Sequence, residues 1–321
     1  TSLLFYLFLN PKKNSLFIIH SSPPILIPLI ALLIKISRML KIDLNNKFFI
    51  IIHDLYPDIL LHFNSINNKN FLFKIIILIY KFSYKQFDIF LPCFESISKK
   101  LHYFYKINNK NIHTFTCWSL IPKKILKSHK IENISKFNSN PNLIIMGNIG
   151  ILHVEELLVR FIYNLLQIKT DINLQLYTRG RKSYEFFRKI SILKNVHKKE
   201  ILPHDQIYNV FKCPIITIVS LSYETSLCAF PSRISTAISM GSPIIFISDK
   251  LNNNPISDFI LKHKIGASIE NVNVKKECLK TYSTIQSNFN FYSENAISCY
   301  EKYFSLDQNL YNLNNLIKDY T

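Results

Sequence analysis

The chain has 321 residues, 48% of them hydrophobic and 13% aromatic; this is enough apolar material for two ordinary domains and excludes a disordered polymer. The formal net charge of +18 points to anionic partners (nucleic acid, a lipid surface or phosphorylated substrates), although Lys, Asn and Ile abound throughout, as in a chain written by an AT-rich genome. Six cysteines without a CxxC pair argue against a zinc framework and for reduced thiols in a cytosolic protein.

The chain opens inside what reads as an apolar helix, as a fragment lacking its own N-terminus would. A buried strand is expected over 15–20, and SSPP then turns into a helix reaching residue 40. The uninterrupted apolar part of that helix, 25–34, is about half of what a membrane span needs, so a buried or interfacial helix is expected. A second strand over 47–52 ends in His53-Asp54-Leu55-Tyr56-Pro57-Asp58. An amphipathic helix over 71–84 follows, whose Lys74, Lys81 and Lys85 predict a wet face, with membrane contact as the second reading. Strands over 87–91 and 112–116 flank a helix over 95–105. Repeated β-α-β of this kind implies a parallel sheet covered on both faces.

The polar stretch up to residue 142 reads as a linker, giving domains at 1–125 and 143–285, a linker at 126–142 and a helical tail at 286–321. In the second domain, strands are expected over 143–146, 174–177, 215–219 and 267–269. Helices are expected over 154–167, 184–193, 204–211, 232–240 and 258–263, with Gly147 to Gly150 forming a turn. All five glycines lie in this half of the chain. The first domain therefore has no glycine loop of the nucleotide-binding kind, by truncation or by nature.

Ligands of open parallel sheets bind at the carboxyl ends of strands. His53 and Asp54, Asn148 and His153, Arg179 and Arg181, Glu224, and Ser232 with Arg233 all fall at such ends. The helix from Ser232 turns its free N–H groups and dipole outward, and Arg233 adds a fork-shaped cation, which together suit a phosphate. The alternative is that Pro231 and Ser232 merely start a helix while Arg233 pairs with a surface carboxylate. Gly241 is expected as the left-handed cap, with Pro243 stopping the helix. Glu224, the only carboxylate between Asp205 and Asp249, could hold a sugar hydroxyl or be a solvated loop residue. Likewise His53 could be a satisfied core histidine and Asp54 a turn cap. There is no Asp-x-Asp pair for a metal–diphosphate, no HExxH and no Ser-His-Asp order.

The ordered set SSPP, HDLYPD, PCFESISKKL, Cys117-Trp118-Ser119, GNIG, LPHDQIYNVF and PSRISTAISMGSPII resembles glycosyltransferase family 4, over about 15–270. The closest likeness is to the branch that builds bacterial lipopolysaccharide or capsule with amino or deoxy sugars. The resemblance implies an α/β GT-B fold: two Rossmann-like parallel-sheet domains facing across a cleft, the first incomplete here by about 70 to 80 residues. It implies a metal-independent, retaining transfer with no cofactor, from a UDP- or GDP-sugar to a glycan or lipid-linked glycan. Gly147, Asn148, Gly150, Arg179, Ser232 and Arg233 would hold the donor's diphosphate and nucleotide, His53 and Asp54 would face the transferred sugar, and Glu224 would be the nearest catalytic acid. Two glutamates common in the family are replaced by Cys228 and Thr236, and Arg233 stands for the usual Lys.

The enzyme would be cytoplasmic and peripheral on an anionic membrane surface, with no nucleic acid partner, since basic residues do not cluster with aromatics. The rival is a non-catalytic relative serving as a binding or scaffold module. A GT-B epimerase would need acids and histidines that the sequence does not supply.

Overall fold

The computed structural model describes residues 14–41, 45–62, 71–119, 121, 141–150, 152–180, 182–203 and 206–320. The apolar helix expected at the start and all but the end of the linker expected at 126–142 lie outside them. The chain forms two compact units. One gathers the chain up to Thr116 with Leu227–Phe230 and the residues from Leu310 onward; the other comprises Cys117–Ser226 and Pro231–Asn309.

In the first unit, β1 (Leu16–His20), β2 (Lys47–Ile52) and β3 (Ile89–Pro92) form a three-stranded parallel sheet in that order. Phe17 lies opposite Phe48, and Phe49 opposite Ile89. The β2 and β3 runs are continuously apolar because residues on both faces are covered. The connections carry helices α1 (Leu26–Met39), α2 (Phe71–Tyr84) and α3 (Glu95–Tyr103). Arg38, near the end of α1, fixes the sheet's edge: it donates to Gln86 O at 2.9 Å and to both oxygens of Asp88, which also accepts the Phe48 N–H at 2.8 Å. The strand expected over 112–116 does not form. That stretch runs beside β3, with His113 N–H to Phe90 O and Phe115 N–H to Pro92 O, but only one bridge results, between Phe90 and Ile112.

The second unit is a six-stranded, wholly parallel sheet in the order β6-β5-β4-β7-β8-β9. Its strands are β4 (Asn142–Asn148), β5 (Leu174–Arg179), β6 (Val196–Lys198), β7 (Ile215–Ser220), β8 (Ile244–Ile247) and β9 (Gly266–Ile269). From β4 the chain builds outward one way to β6, then crosses back and builds the other way from β7. This is the doubly wound order, and the reversal lies between β4 and β7. Helices α4 (Glu155–Leu166), α5 (Ser183–Ile190), α6 (Tyr223–Ser226), α7 (Arg233–Ser239), α8 (Pro255–Lys262), α9 (Lys275–Ser287) and α10 (Phe289–Cys299) supply the connections and the covering layers. Leu158, Phe161, Ile162 and Leu165 of α4 pack with Phe186 of α5 and Tyr282 of α9 against the sheet. The last helix, α11 (Leu306–Lys318), leads back to the first unit, where Tyr320 meets Phe49 edge-on.

Glycine at 266 is dictated by the β8–β9 pairing, in which Gly266 lies opposite Ile244. A Cβ there would sit 1.9 Å from Ile244 O, a backbone atom that cannot rotate away. Gly266→Ala should therefore cost about 1–3 kcal/mol as β8 and β9 are pushed apart, measurable as a lower urea midpoint with an unchanged slope.

Candidate functional site

The carboxyl ends of β4 and β7 flank the reversal in the second sheet, where a crevice outside the strands is expected on topological grounds alone. β4 runs two residues further than its apolar core suggests. Gly147 and Asn148 thus finish the strand, both exposed, and the turn begins only at Ile149. Gly147 has φ +88°, a conformation that suits glycine. Its bare Cα faces the guanidinium of Arg233, which would lie 3.8 Å from a Cβ. Gly150 has open space around it.

Arg233 is the first residue of α7, a helix of seven residues. Ser232, before it, is exposed and helical in φ and ψ; its side chain caps nothing, while its carbonyl accepts from Ser235 Oγ at 2.7 Å. At the far end Gly241 has φ +67°, the left-handed stop expected of it. The guanidinium crosses to β4 and donates to Asn148 O at 2.8 Å, and the same nitrogen lies 3.0 Å from His153 Nε2. His153 Nδ1 in turn lies 2.6 Å from Ser220 O at the end of β7. A carbonyl can only accept, so Nδ1 carries the proton and Nε2 offers its lone pair to Arg233. A neutral imidazole is the one form that fits both contacts. Arg179, exposed at the end of β5, donates from Nε to Asn148 Oδ1 at 2.9 Å.

The electrostatics agree with this arrangement. Burial, then the adjacent Arg233 charge, pushes the His153 pKa down to about 4. Burial lowers Arg233 to about 10, which leaves it cationic at neutral pH. Among the described residues no carboxylate lies within ion-pair distance of Arg233, so the surface pairing considered for it is not what holds it. Its partners are a carbonyl and an imidazole, both neutral. The result, among the described residues, is a half-buried guanidinium with no carboxylate partner between the ends of two central strands, a place that would stabilise an anion.

His153 has a consequence for stability. Its folded pKa is depressed below the unfolded value near 6.5, so the unfolded chain binds the extra proton first. Stability should be fully present above about pH 6.5 and fall as pH drops toward 4. Melting temperatures recorded across that window should show the loss, and His153→Gln should flatten it.

Glu224 lies on the short helix α6, just beyond β7, and is exposed. Beside it, Tyr223 N–H donates to Asp249 Oδ1 at 2.7 Å and the Tyr223 ring carries Lys250 at 4.3 Å. His53 and Asp54 follow β2 in the first unit. The His53 ring sits 4.6 Å from that of His20, which ends β1, and the His53 carbonyl accepts from Cys93 Sγ at 3.0 Å. Asp54 bridges Ala229, and Leu55 N–H donates to Cys228 O at 2.8 Å. His20 is the group that the sequence reading missed, since nothing marks the last residue of β1 as functional; His153 stands among the strand-end candidates, and only the fold shows its partners. Arg181 lies outside the described residues.

No protein-family model matches the chain, and no curated protein does. Solved structures do resemble it. A mutant of TarM from S. aureus, in complex with fondaparinux, alpha-GlcNAc-glycerol and UDP, superposes with a TM-score of 0.60 at 18% identity, covering 98% of this chain and 57% of that one. The pneumococcal O-GlcNAc transferase GtfA, in complex with UDP and GlcNAc, gives 0.58 at 13% identity, over 97% and 58%. A glycosyltransferase from Rickettsia africae gives 0.53 at 13%, over 97% and 99%. The fold is GT-B. The chain spans little more than half the length of the first two GT-B structures and nearly all of the third. At such identities it is the GT-B fold that is shared.

Proposed function

We propose that this chain is a glycosyltransferase, or the larger part of one, that moves a sugar from a nucleoside-diphosphate donor to a glycan or lipid-linked glycan. The observation that carries the reading is Arg233: a half-buried cation with neutral partners at the reversal of a doubly wound sheet. Phosphate placed there would meet the guanidinium fork and the bare backbone of Gly147, with Arg179 beside Asn148. In the proposed reaction the sugar–phosphate bond breaks and negative charge grows on the departing diphosphate. A preorganised cation at that point lowers the barrier most. Fold neighbours crystallised with UDP support a nucleotide donor.

The finer reading follows the resemblance to family 4. The transfer would retain the anomeric configuration without a metal, the donor would be a UDP- or GDP-sugar, and the product would belong to surface polysaccharide, made at the inner face of a membrane. His53 and Asp54 would serve the sugar side and Glu224 a hydroxyl. Ser232 and Gly150 would line the phosphate. Calorimetric titration with UDP, GDP and their sugar conjugates tests the reading. Micromolar binding of one of them establishes the donor site and names the base. A folded chain that binds none refutes it and leaves the scaffold module.

A further inference from the structure

Helices α1 and α2 of the first unit pack side by side, tied by Tyr80 OH donating to Pro24 O at 2.9 Å. Each turns one stripe inward: Ile27, Ala31 and Ile34 on α1, and Phe73, Tyr80 and Tyr84 on α2. The opposite stripes of an ordinary surface helix would be polar. Here they are not. Outward stand Ile25, just before α1, and Leu29, Leu32 and Ile36 on it, at helical spacing. On α2 Phe71 is 73% exposed and Leu78 65%, with Ile75, Ile79 and Phe82 alongside. The wet face expected of this helix is therefore reduced to a flank, because Lys74, Lys81 and Lys85 fall on one edge at spacings of seven and four.

The charge around this apolar face has one sign. Residues 25–41 and 71–86 include Lys35, Arg38, Lys41, Lys74, Lys81 and Lys85, and neither Asp nor Glu. Arg38 is used by Asp88. Lys35 and Lys81 hold their ammonium nitrogens over the Phe82 and Phe104 rings, 4.5 and 4.1 Å from the centroids, which places positive charge at the border of the apolar surface. Neither helix is long and apolar enough to cross a bilayer. At 14 residues each, about 21 Å long, they are shaped to lie in its plane. We infer that the outward face of α1 and α2 docks on an anionic lipid surface, its leucines, isoleucines and phenylalanines entering the acyl boundary and its lysines meeting the headgroups. A second copy is the poorer occupant, since a two-fold contact would bring like charges together with no acid to receive them. The inference deepens the membrane setting of the functional proposal and is independent of the donor site.

Co-sedimentation with vesicles tests it, without any sugar donor. The chain is mixed with phosphatidylcholine alone or with equal parts of phosphatidylcholine and phosphatidylglycerol. Binding to the mixed vesicles is expected, and each lysine removed from the flank (Lys74→Ala, Lys85→Ala) should weaken it about fivefold. Leu78→Glu with Phe82→Glu, both outward and therefore compatible with folding, should weaken it at least about tenfold with circular dichroism unchanged. No binding to mixed vesicles, equal binding to the two vesicle types, or undiminished binding by the double variant overturns the inference. A dimer in sedimentation velocity that the double variant dissolves also overturns it, and gives the face to a second copy.

Discussion

Arg233→Ala should lower the affinity for a nucleoside diphosphate by about a hundredfold or more, the loss expected when one partner of a buried, hydrogen-bonded charge pair is truncated. The guanidinium is the sole cation whose contacts reach β4 and, through His153, β7 among the described residues. Removing it takes away both the charge proposed to meet the anion and the donor that contacts Asn148 and His153. Arg233→Lys separates the two roles. It keeps the charge but loses the fork, so binding should fall to an intermediate level. His153 supplies an internal control: with Arg233 gone, one of the two causes that depress its pKa is gone, and its NMR titration should move upward while burial keeps it below the ordinary value. Wild-type affinity in Arg233→Ala, with the His153 shift present, would show that the guanidinium was removed without consequence and that the nucleotide binds elsewhere.

Much of this site can be read from the sequence because its parts lie at strand ends, and strands of Ile, Val, Leu and Met announce themselves. GNIG after LIIM, Arg179 after LQLY, and PSR before an amphipathic run closed by Gly241 are all local signals. The contacts are not. Arg233 and Asn148 are 85 residues apart and His153 and Ser220 are 67. The strand-end pattern marks His153 among ten histidines, but nothing in it says that the ring sits between Arg233 and Ser220. Only the strand order, which brings β4 beside β7, makes the four residues neighbours.

The fold divides in the same way. Alternation of strand and helix gives parallel sheets, but β6 is three residues long and only its first is buried, so its apolar signal is a single valine. The short helix α6 is one turn and has no periodicity to detect. For α8 the signal was present: Asn254 accepts from the N–H groups of Ile256 and Ser257, with Pro255 at the first helical position, so the helix begins three residues before the predicted 258. In α2 periodicity misleads for a physical reason. When both stripes of a helix are apolar, spacing cannot say which is buried, and lysines on one flank look like a wet face.

The largest expected loss of stability is at Asp58, the last residue of HDLYPD. It is buried at 7% exposure, accepts from Tyr105 OH at 2.5 Å and pairs with Lys100 Nζ at 2.9 Å. Tyr105 packs edge-on against Tyr84, whose hydroxyl donates to Tyr56 O at 2.7 Å. Burial first, and then the Asp58 charge, push the Tyr105 phenol far above its ordinary pKa, so it remains a donor at every pH the protein meets. Asp58→Ala would strand a buried hydroxyl and a half-covered ammonium together, at a cost of about 3–5 kcal/mol. Lys100 is 29% exposed and can reach water, which argues for the lower end. Asp58→Asn keeps an acceptor for Tyr105 and loses only the charge, so it should cost less, about 1–2 kcal/mol. Among the described residues the first unit has a sheet of three strands against six in the second, so the loss should fall on it first. Urea unfolding of Asp58→Ala should therefore show that unit melting early, in a separate transition ahead of the second. A single transition at the wild-type midpoint would mean that Asp58 is solvated and that the tyrosines alone hold the corner.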